Sequence, residues 1–263
     1  MNKLIVNTTT ANIYREPSFT SEMITQAIMW EELEILESHL DWFKVRQWDN
    51  YEGWIHQFYS TNYFEVNAQK LTVENRREYL FNNQTQTGKI IGEVVFGTEL
   101  PILQNATNNW FEVLLPNKAK CWINNNNSIG KSQREQIIID ATKMLGVPYL
   151  WGGKTSLGFD CSGFVQTIFK NSGILLHRDS CQQLLTENLI NISFDSAEEG
   201  DLMFFAEENN AITHVAISIG NGEIIHASGD VKIESLNENS ENCNIKLLNM
   251  MTATKSISSY SLI

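Results

Sequence analysis

The chain has 263 residues, 42% hydrophobic and 19% charged, with 19 basic against 31 acidic side chains and a formal net charge of −12. That length allows two or three modest domains, or one large one. The acidic balance argues against nucleic acid or another anionic polymer as the main partner, and no apolar run is long enough to span a bilayer as a helix.

The amino terminus, Met1-Asn2-Lys3-Leu4-Ile5-Val6-Asn7, has one basic residue and an apolar stretch of three, which is not the pattern of a signal peptide. A cytoplasmic location is therefore expected, with a periplasmic or secreted one as the alternative if a leader has been removed. The four cysteines (Cys121, Cys161, Cys181, Cys243) lack the spacing of a disulfide framework and are expected to be free thiols.

The first half contains an internal repeat. Asp41-Trp42-Phe43-Lys44-Val45 recurs as Asn109-Trp110-Phe111-Glu112-Val113, and Glu52-Gly53-Trp54-Ile55 as Lys120-Cys121-Trp122-Ile123. Upstream, Glu32-Leu33-Glu34-Ile35-Leu36 corresponds to Glu99-Leu100-Pro101-Ile102-Leu103. Alternating apolar residues between Asn, Asp and Gly turns predict several short strands in each copy, a small domain duplicated rather than a solenoid. Tyr14-Arg15-Glu16-Pro17, then Trp42-Phe43-Lys44-Val45, then Gly53-Trp54-Ile55 together resemble a bacterial SH3 (SH3b) domain. The second copy lacks the Arg-x-x-Pro element.

Residues 65–78 read as a connector with a helical turn, and Asn124 to Ser128 as a polar loop, which places a domain boundary near residue 128. Ser132 and Glu135 then fit a capping box, followed by a helical stripe of Ile137, Ile138, Ala141, Met144 and Leu145 that ends at Gly146. A second amphipathic helix is predicted to begin at Cys161, with Phe164, Val165, Ile168 and Phe169 inward and Gly173 as its stop. A thiol at a helix start faces the positive end of the macrodipole and unpaired N–H groups, both of which favour thiolate. The bland alternative is a small buried core cysteine.

His214-Val215-Ala216-Ile217-Ser218-Ile219, Gly220-Asn221-Gly222 and Glu223-Ile224-Ile225-His226-Ala227 read as a hairpin. A two-residue Asn221-Gly222 turn places Ile217 opposite His226 and the histidines on opposite faces. A three-residue loop places Ala216 opposite His226, and the histidines then share a face about 7–8 Å apart along the backbone. In that register cysteine and two histidines can serve as nucleophile, base and orienting group. Zinc is the competing use of Cys161, Cys181, His214 and His226, but their spacing is not that of a metal site, so no metal and no cofactor are expected.

Pro148-Tyr149-Leu150-Trp151-Gly152-Gly153, Asp160-Cys161-Ser162-Gly163, Arg178-Asp179-Ser180, Gly200-Asp201-Leu202-Met203-Phe204-Phe205, His214-Val215 and His226-Ala227 occur in an order that resembles the NlpC-type, papain-like cysteine peptidases. With SH3b copies ahead of it, the chain is similar to the YkfC-like γ-D-glutamyl-L-diamino-acid endopeptidases. The fold this implies is α+β: a papain-like catalytic domain over 129–263, preceded by two SH3-like β-barrels over 1–66 and 67–128. The substrate it implies is a murein peptide, L-Ala-γ-D-Glu-diamino acid, with a free N-terminal L-alanine; nucleic acid is not an expected partner.

The resemblance makes Cys161 the nucleophile, His214 the base and His226 the orienting member. Tyr149 resembles the tyrosine that lines the oxyanion region, and Asp160, Ser162 and Ser180 the residues that hold L-Ala-γ-D-Glu. Tyr51 and a glutamate, Glu22 first and Glu16 second, would bind the substrate amine. Asp160 is read as an amine ligand rather than a helix cap, Ser180 as a ligand or a cap, and Trp151 as a core aromatic. Cys181 stands where the family has a small residue, and could pack or oxidise with Cys161. An amidase, an acyltransferase and a non-catalytic cell-wall binding protein are the alternative functions.

Overall fold

The structure, a computed structural model, describes residues 2–105, 108–125, 131–187, 189–207 and 211–257. The chain forms two compact units. The first comprises residues 1–129 and 151–157, and the second 130–150 and 158–263. Strands predominate among the described residues.

The first unit holds two sheets of matching topology. One contains β1 (Lys3–Val6), β2 (Thr10–Tyr14), β3 (Met23–Ile28), β4 (Glu32–His39), β5 (Trp42–Arg46), β6 (Glu52–His56) and β7 (Ser60–Asn62), in the order β3-β2-β6-β5-β4-β1-β7. The other contains β8 (Lys70–Thr72), β9 (Arg77–Phe81), β10 (Ile90–Val95), β11 (Glu99–Asn105), β12 (Trp110–Leu114) and β13 (Lys120–Asn124), in the order β10-β9-β13-β12-β11-β8. Strand for strand the second order repeats the first without β7. The register repeats too: Lys44 opposes Trp54 as Glu112 opposes Trp122, and Leu4 opposes Leu33 as Leu71 opposes Leu100.

Two expectations fail here. The helical turn within 65–78 is instead strand β8, whose Leu71 is buried in the second core; three residues are too few to show a period. Asn124 ends β13, and Asn125 is buried with its amide donating to the Thr72 carbonyl. Residues 126–128 of the expected loop, and the boundary placed there, lie outside the described residues.

Each sheet closes over its own core, one built on Val6, Ile13, Leu33, Val45 and Ile55, the other on Leu71, Leu80, Val94, Leu100 and Ile123. Gly53 is required by space, since a Cβ there would sit 2.5 Å from Ile13 Cγ2 and 3.0 Å from the Tyr14 carbonyl oxygen. Residues 151–157 run beside β3. Gly152 lies so near the Met23 carbonyl that a Cβ would be 2.5 Å from it, and its φ of +73° is itself a glycine conformation.

The second unit opens with α1 (Gln133–Lys143), whose predicted capping box is present: Glu135 N–H donates to Ser132 Oγ, and Ser132 N–H to Glu135 Oε2. The helix ends at Lys143, three residues before the expected Gly146. After β14 (Lys154–Thr155), which belongs to the first unit, the second resumes with β15 (Gly158–Phe159), α2 (Cys161–Asn171) and α3 (Ser180–Gln183). The stripe Phe164, Val165, Ile168 and Phe169 is fully buried. Gly173 stops α2 as expected, with a φ of +83° and the Schellman pair of bonds Gly173 N–H to Lys170 O and Ile174 N–H to Phe169 O.

The remaining strands, β16 (Leu189–Ile192), β17 (Leu202–Ala206), β18 (Ile212–Gly220), β19 (Glu223–Ser228), β20 (Asp230–Ser235) and β21 (Met251–Ile257), form one antiparallel sheet in the order β16-β21-β17-β18-β19-β20. Helix α4 (Ile245–Met250) packs on it through Leu247 and Leu248. The Gly200-Asp201 motif is structural: buried Asp201 accepts from Arg134 of α1 and from Glu198 N–H.

All seven tryptophans belong to the first unit, so intrinsic tryptophan fluorescence reports that unit alone. Gly53→Val should destabilise it by about 1–3 kcal/mol through overpacking against Ile13. A fluorescence-detected melting temperature equal to wild type would disprove that crowding.

Candidate active site

The site is built where α2 starts against β18. Asp160 caps the helix by accepting from Gly163 N–H at 2.7 Å, which leaves the Cys161 thiol on the first turn. Cys161 is 8% exposed. Its Sγ lies 3.9 Å from the Thr213 carbonyl oxygen and accepts from the backbone N–H groups of Val215 and Ser162. Thr213 and Val215 flank His214, so the thiol is held to the backbone on both sides of that histidine.

The β18–β19 hairpin combines features of the two loops considered from the sequence. The turn is the two-residue one, Asn221 and Gly222 both at positive φ, with Gly220 opposite Glu223. Ile219 then bulges out, so Ser218 opposes Ile224 and Ile217 opposes Ile225. Continuing that ladder sets Ala216 opposite His226, and the histidines share a face. Their rings meet: His214 Nε2 lies 2.8 Å from His226 Nδ1. His226, buried, places its Nε2 2.8 Å from Glu234 Oε2 on β20, and Asn244 Nδ2 donates to the same oxygen at 2.8 Å.

Burial overrides the helix start as an influence on the thiol. It pushes Cys161 up to about 11, with the Asp160 charge adding to the effect and the Val215 and Ser162 N–H groups opposing it. Burial and His226 push His214 down to about 3, while burial lowers His226 against the opposing pull of Glu234. Burial thus favours the neutral thiol and the neutral imidazoles, where the sequence suggested thiolate.

Asp160, read from the sequence as an amine ligand rather than a helix cap, is the cap of α2. Its carboxylate caps α2, accepts from Ser162 Oγ–H, and takes both Nη1 and Nη2 of Arg178, which is 2% exposed. Arg178 Nη1 also donates to Ser162 Oγ at 2.9 Å. A bare carboxylate at this cap would oppose thiolate formation; Arg178 supplies its countercharge. Ser180 is not the cap of α3, which is Asp179; its Oγ donates to the Ile212 carbonyl oxygen. Tyr149 pairs with Phe159 and is pushed up to about 12 by burial, then by Cys161 and Asp160, so it lies within electrostatic reach of both.

In the first unit, Glu22 accepts from Arg15 Nε at 2.8 Å and from Trp151 Nε1 at 2.9 Å, and Arg15 holds its carboxyl below the usual range. Trp151 is 64% exposed rather than a core aromatic. Tyr51, half-buried, follows a turn at Asn50 and lies near enough to Arg15 to influence its charge. All four cysteines are free; Cys181 is exposed and Cys161 buried. Among the described residues no cluster of His, Cys, Asp and Glu could hold a metal ion. The sequence reading passed over Glu234 and Asn244. Counting the β19–β20 hairpin from Gly229 sets Lys232 opposite His226 and Glu234 two residues on, on the same face.

Arg178→Met leaves a buried carboxylate unpaired and should cost about 3–5 kcal/mol. Urea denaturation followed by circular dichroism measures it, and a loss below about 1 kcal/mol would contradict the pairing. Iodoacetamide should alkylate Cys161 with a rate that rises about tenfold per pH unit from pH 7 to 9, because thiolate accumulates only toward the raised pKa. A rate flat across that range would indicate a preformed thiolate–imidazolium pair instead.

A family model described as the NlpC/P60 family matches residues 146–246, and one described as the bacterial dipeptidyl-peptidase Sh3 domain matches residues 13–57. The chain is 32% identical over 242 residues to the gamma-D-glutamyl-L-lysine dipeptidyl-peptidase of Bacillus cereus, covering 82% of this chain and 72% of that protein. It is 28% identical over 218 residues to the Bacillus subtilis protein of the same name, covering 77% and 71%. A crystal structure of an NlpC/P60 family protein from Bacillus cereus superposes with a TM-score of 0.83 at 25% identity, over 97% of this chain and 99% of that one. A cysteine opening α2, a paired set of histidines beside it and relatives alike over most of both chains agree: the chain belongs to the NlpC/P60 family of cysteine peptidases.

Proposed function

We propose that this chain is a cysteine endopeptidase that hydrolyses the γ-D-Glu–diamino-acid bond of murein peptides bearing a free N-terminal L-alanine, in cell-wall peptide recycling or turnover in the cytoplasm. The observation that carries the reading is the Cys161 thiol held to the backbone on both sides of His214, with His214 and His226 paired at 2.8 Å. The names of the two Bacillus relatives support the bond cleaved. The matching strand order of the two N-terminal sheets supports reading both as SH3b barrels, 1–66 and 67–128, ahead of a papain-like domain from 129.

In this mechanism His214 takes the thiol proton as Cys161 Sγ attacks the γ-carbonyl carbon. The oxyanion is held by N–H groups at the start of α2, with Tyr149 beside it. The C–N bond breaks and the imidazolium returns its proton to the leaving amine, which yields an acyl-thioester. Water, deprotonated by His214, attacks that ester and releases the γ-carboxylate and the thiol. A neutral resting pair suits this sequence, because proton transfer accompanies attack rather than preceding it. His226 orients His214. Asp160, Ser162 and Ser180 hold the L-Ala-γ-D-Glu portion, and Tyr51 with Glu22, or Glu16, binds the ammonium.

Mass spectrometry of digests of L-Ala-γ-D-Glu-meso-diaminopimelate, with and without N-acetylation of the alanine, tests the proposal. Cleavage of the free-amine peptide alone is expected, abolished in Cys161→Ala. Turnover by that variant would overturn the nucleophile, and equal cleavage of both peptides would overturn the amine-binding role of Tyr51 and its glutamate.

A further inference from the structure

Four polar groups form a line whose direction is determined at one end. Asn244 caps α4: its Oδ1 accepts from Leu247 N–H at 3.0 Å, so the other amide atom is the donor Nδ2, which reaches Glu234 Oε2. That settles the amide orientation from its partners rather than by assumption. Asn244, His226 and Lys232 outweigh burial and hold Glu234 below the usual carboxylate range. An ionised carboxylate only accepts, so His226 Nε2, 2.8 Å from the same oxygen, carries a hydrogen. Neutral His226 then has its lone pair on Nδ1. His214 Nε2, 2.8 Å from that atom, must donate to it, and neutral His214 is left with its lone pair on Nδ1.

We infer that Glu234 is a positioning residue that acts through His226 to set the tautomer of His214, leaving His214 Nδ1 unprotonated and able to take the Cys161 proton. Without an acceptor at Glu234, His226 can place its hydrogen on Nδ1 and donate it to His214 Nε2. His214 then carries its hydrogen on Nδ1 and has no lone pair for the thiol. Glu234 has a second effect. When the proton moves from Sγ to His214 Nδ1, the imidazolium keeps its Nε2–H on His226, and the Glu234 carboxylate lies at the far end of the same line as countercharge. Lys232 Nζ, 3.5 Å from Glu234 Oε1, tempers that charge, and Asp230 adds to it.

The inference rests on the proposed role of His214, but its primary test does not need turnover. Two-bond 1H–15N correlation spectra of the histidine-labelled protein at neutral pH report which nitrogen of each ring is protonated. Both histidines should carry hydrogen on Nε2 in the wild type. Glu234→Ala should move His214 partly or wholly to the Nδ1–H form and lower kcat on L-Ala-γ-D-Glu-meso-diaminopimelate by roughly tenfold or more, with KM little changed. Glu234→Gln can present its Oε1 to both donors. It should keep the wild-type tautomers and lose less of kcat, which separates the hydrogen bond from the charge. A wild-type His214 protonated on Nδ1, or Glu234→Ala with both tautomers unaltered, would overturn the inference. If the wild type did not cleave this peptide, the proposed substrate would fall and the spectra would still decide the role of Glu234.

Discussion

One extra residue in a hairpin determines whether this molecule has a histidine pair at all. Ile219 bulges from β18, and every residue beyond it toward the amino terminus faces the opposite way from an uninterrupted ladder. His214 therefore shares a face with His226. The adjacent strand β20 adds Glu234, and the residue before α4 adds Asn244. Three neighbouring strands and a helix cap thus supply one continuous line of hydrogen bonds, on elements held by the sheet ladder rather than on a loose segment.

The electrostatics of the site follow from burial. A thiol on the first turn of a helix benefits from unpaired N–H groups, but a thiol almost removed from water loses more by desolvation than those dipoles return. The same burial keeps both imidazoles neutral. A neutral pair also resolves the position of Asp160. Its carboxylate is committed to the α2 cap and to Arg178, so its charge is compensated within the second unit, and Ser162 is oriented by the same guanidinium. Arg178 is thus the cation that compensates a carboxylate standing next to the Cys161 thiol.

The first unit shows one strand order built twice. Its two sheets share strand order and register, and the Arg15–Glu22–Trp151 contacts are made at the first. Residues 151–157, which sit in sequence between Tyr149 and Cys161, belong to this unit. Gly152 permits that course by letting the chain pass within contact distance of the Met23 carbonyl. The glycines of Trp151-Gly152-Gly153 are thus partly explained by close approach to a neighbouring strand.

Local pattern alone was enough for the duplicated tryptophan strands, the capping box at Ser132, the inward stripe of α2 and its stop at Gly173, because each is decided within a few residues by periodicity or by helix-end hydrogen bonds. It also singled out Cys161, His214 and His226 as residue types that belong together. Strand β8 was illegible because three residues carry no period. The histidine face stayed open because a tight turn and a bulge leave no separate mark in Gly220-Asn221-Gly222. Only the tertiary structure decided the charge state of Cys161, the partnering of Asp160 by Arg178 and the place of Glu234. Each depends on how far water is excluded and on which distant residues fill the space it leaves, and these are properties of packing that the order of residues along the chain does not display.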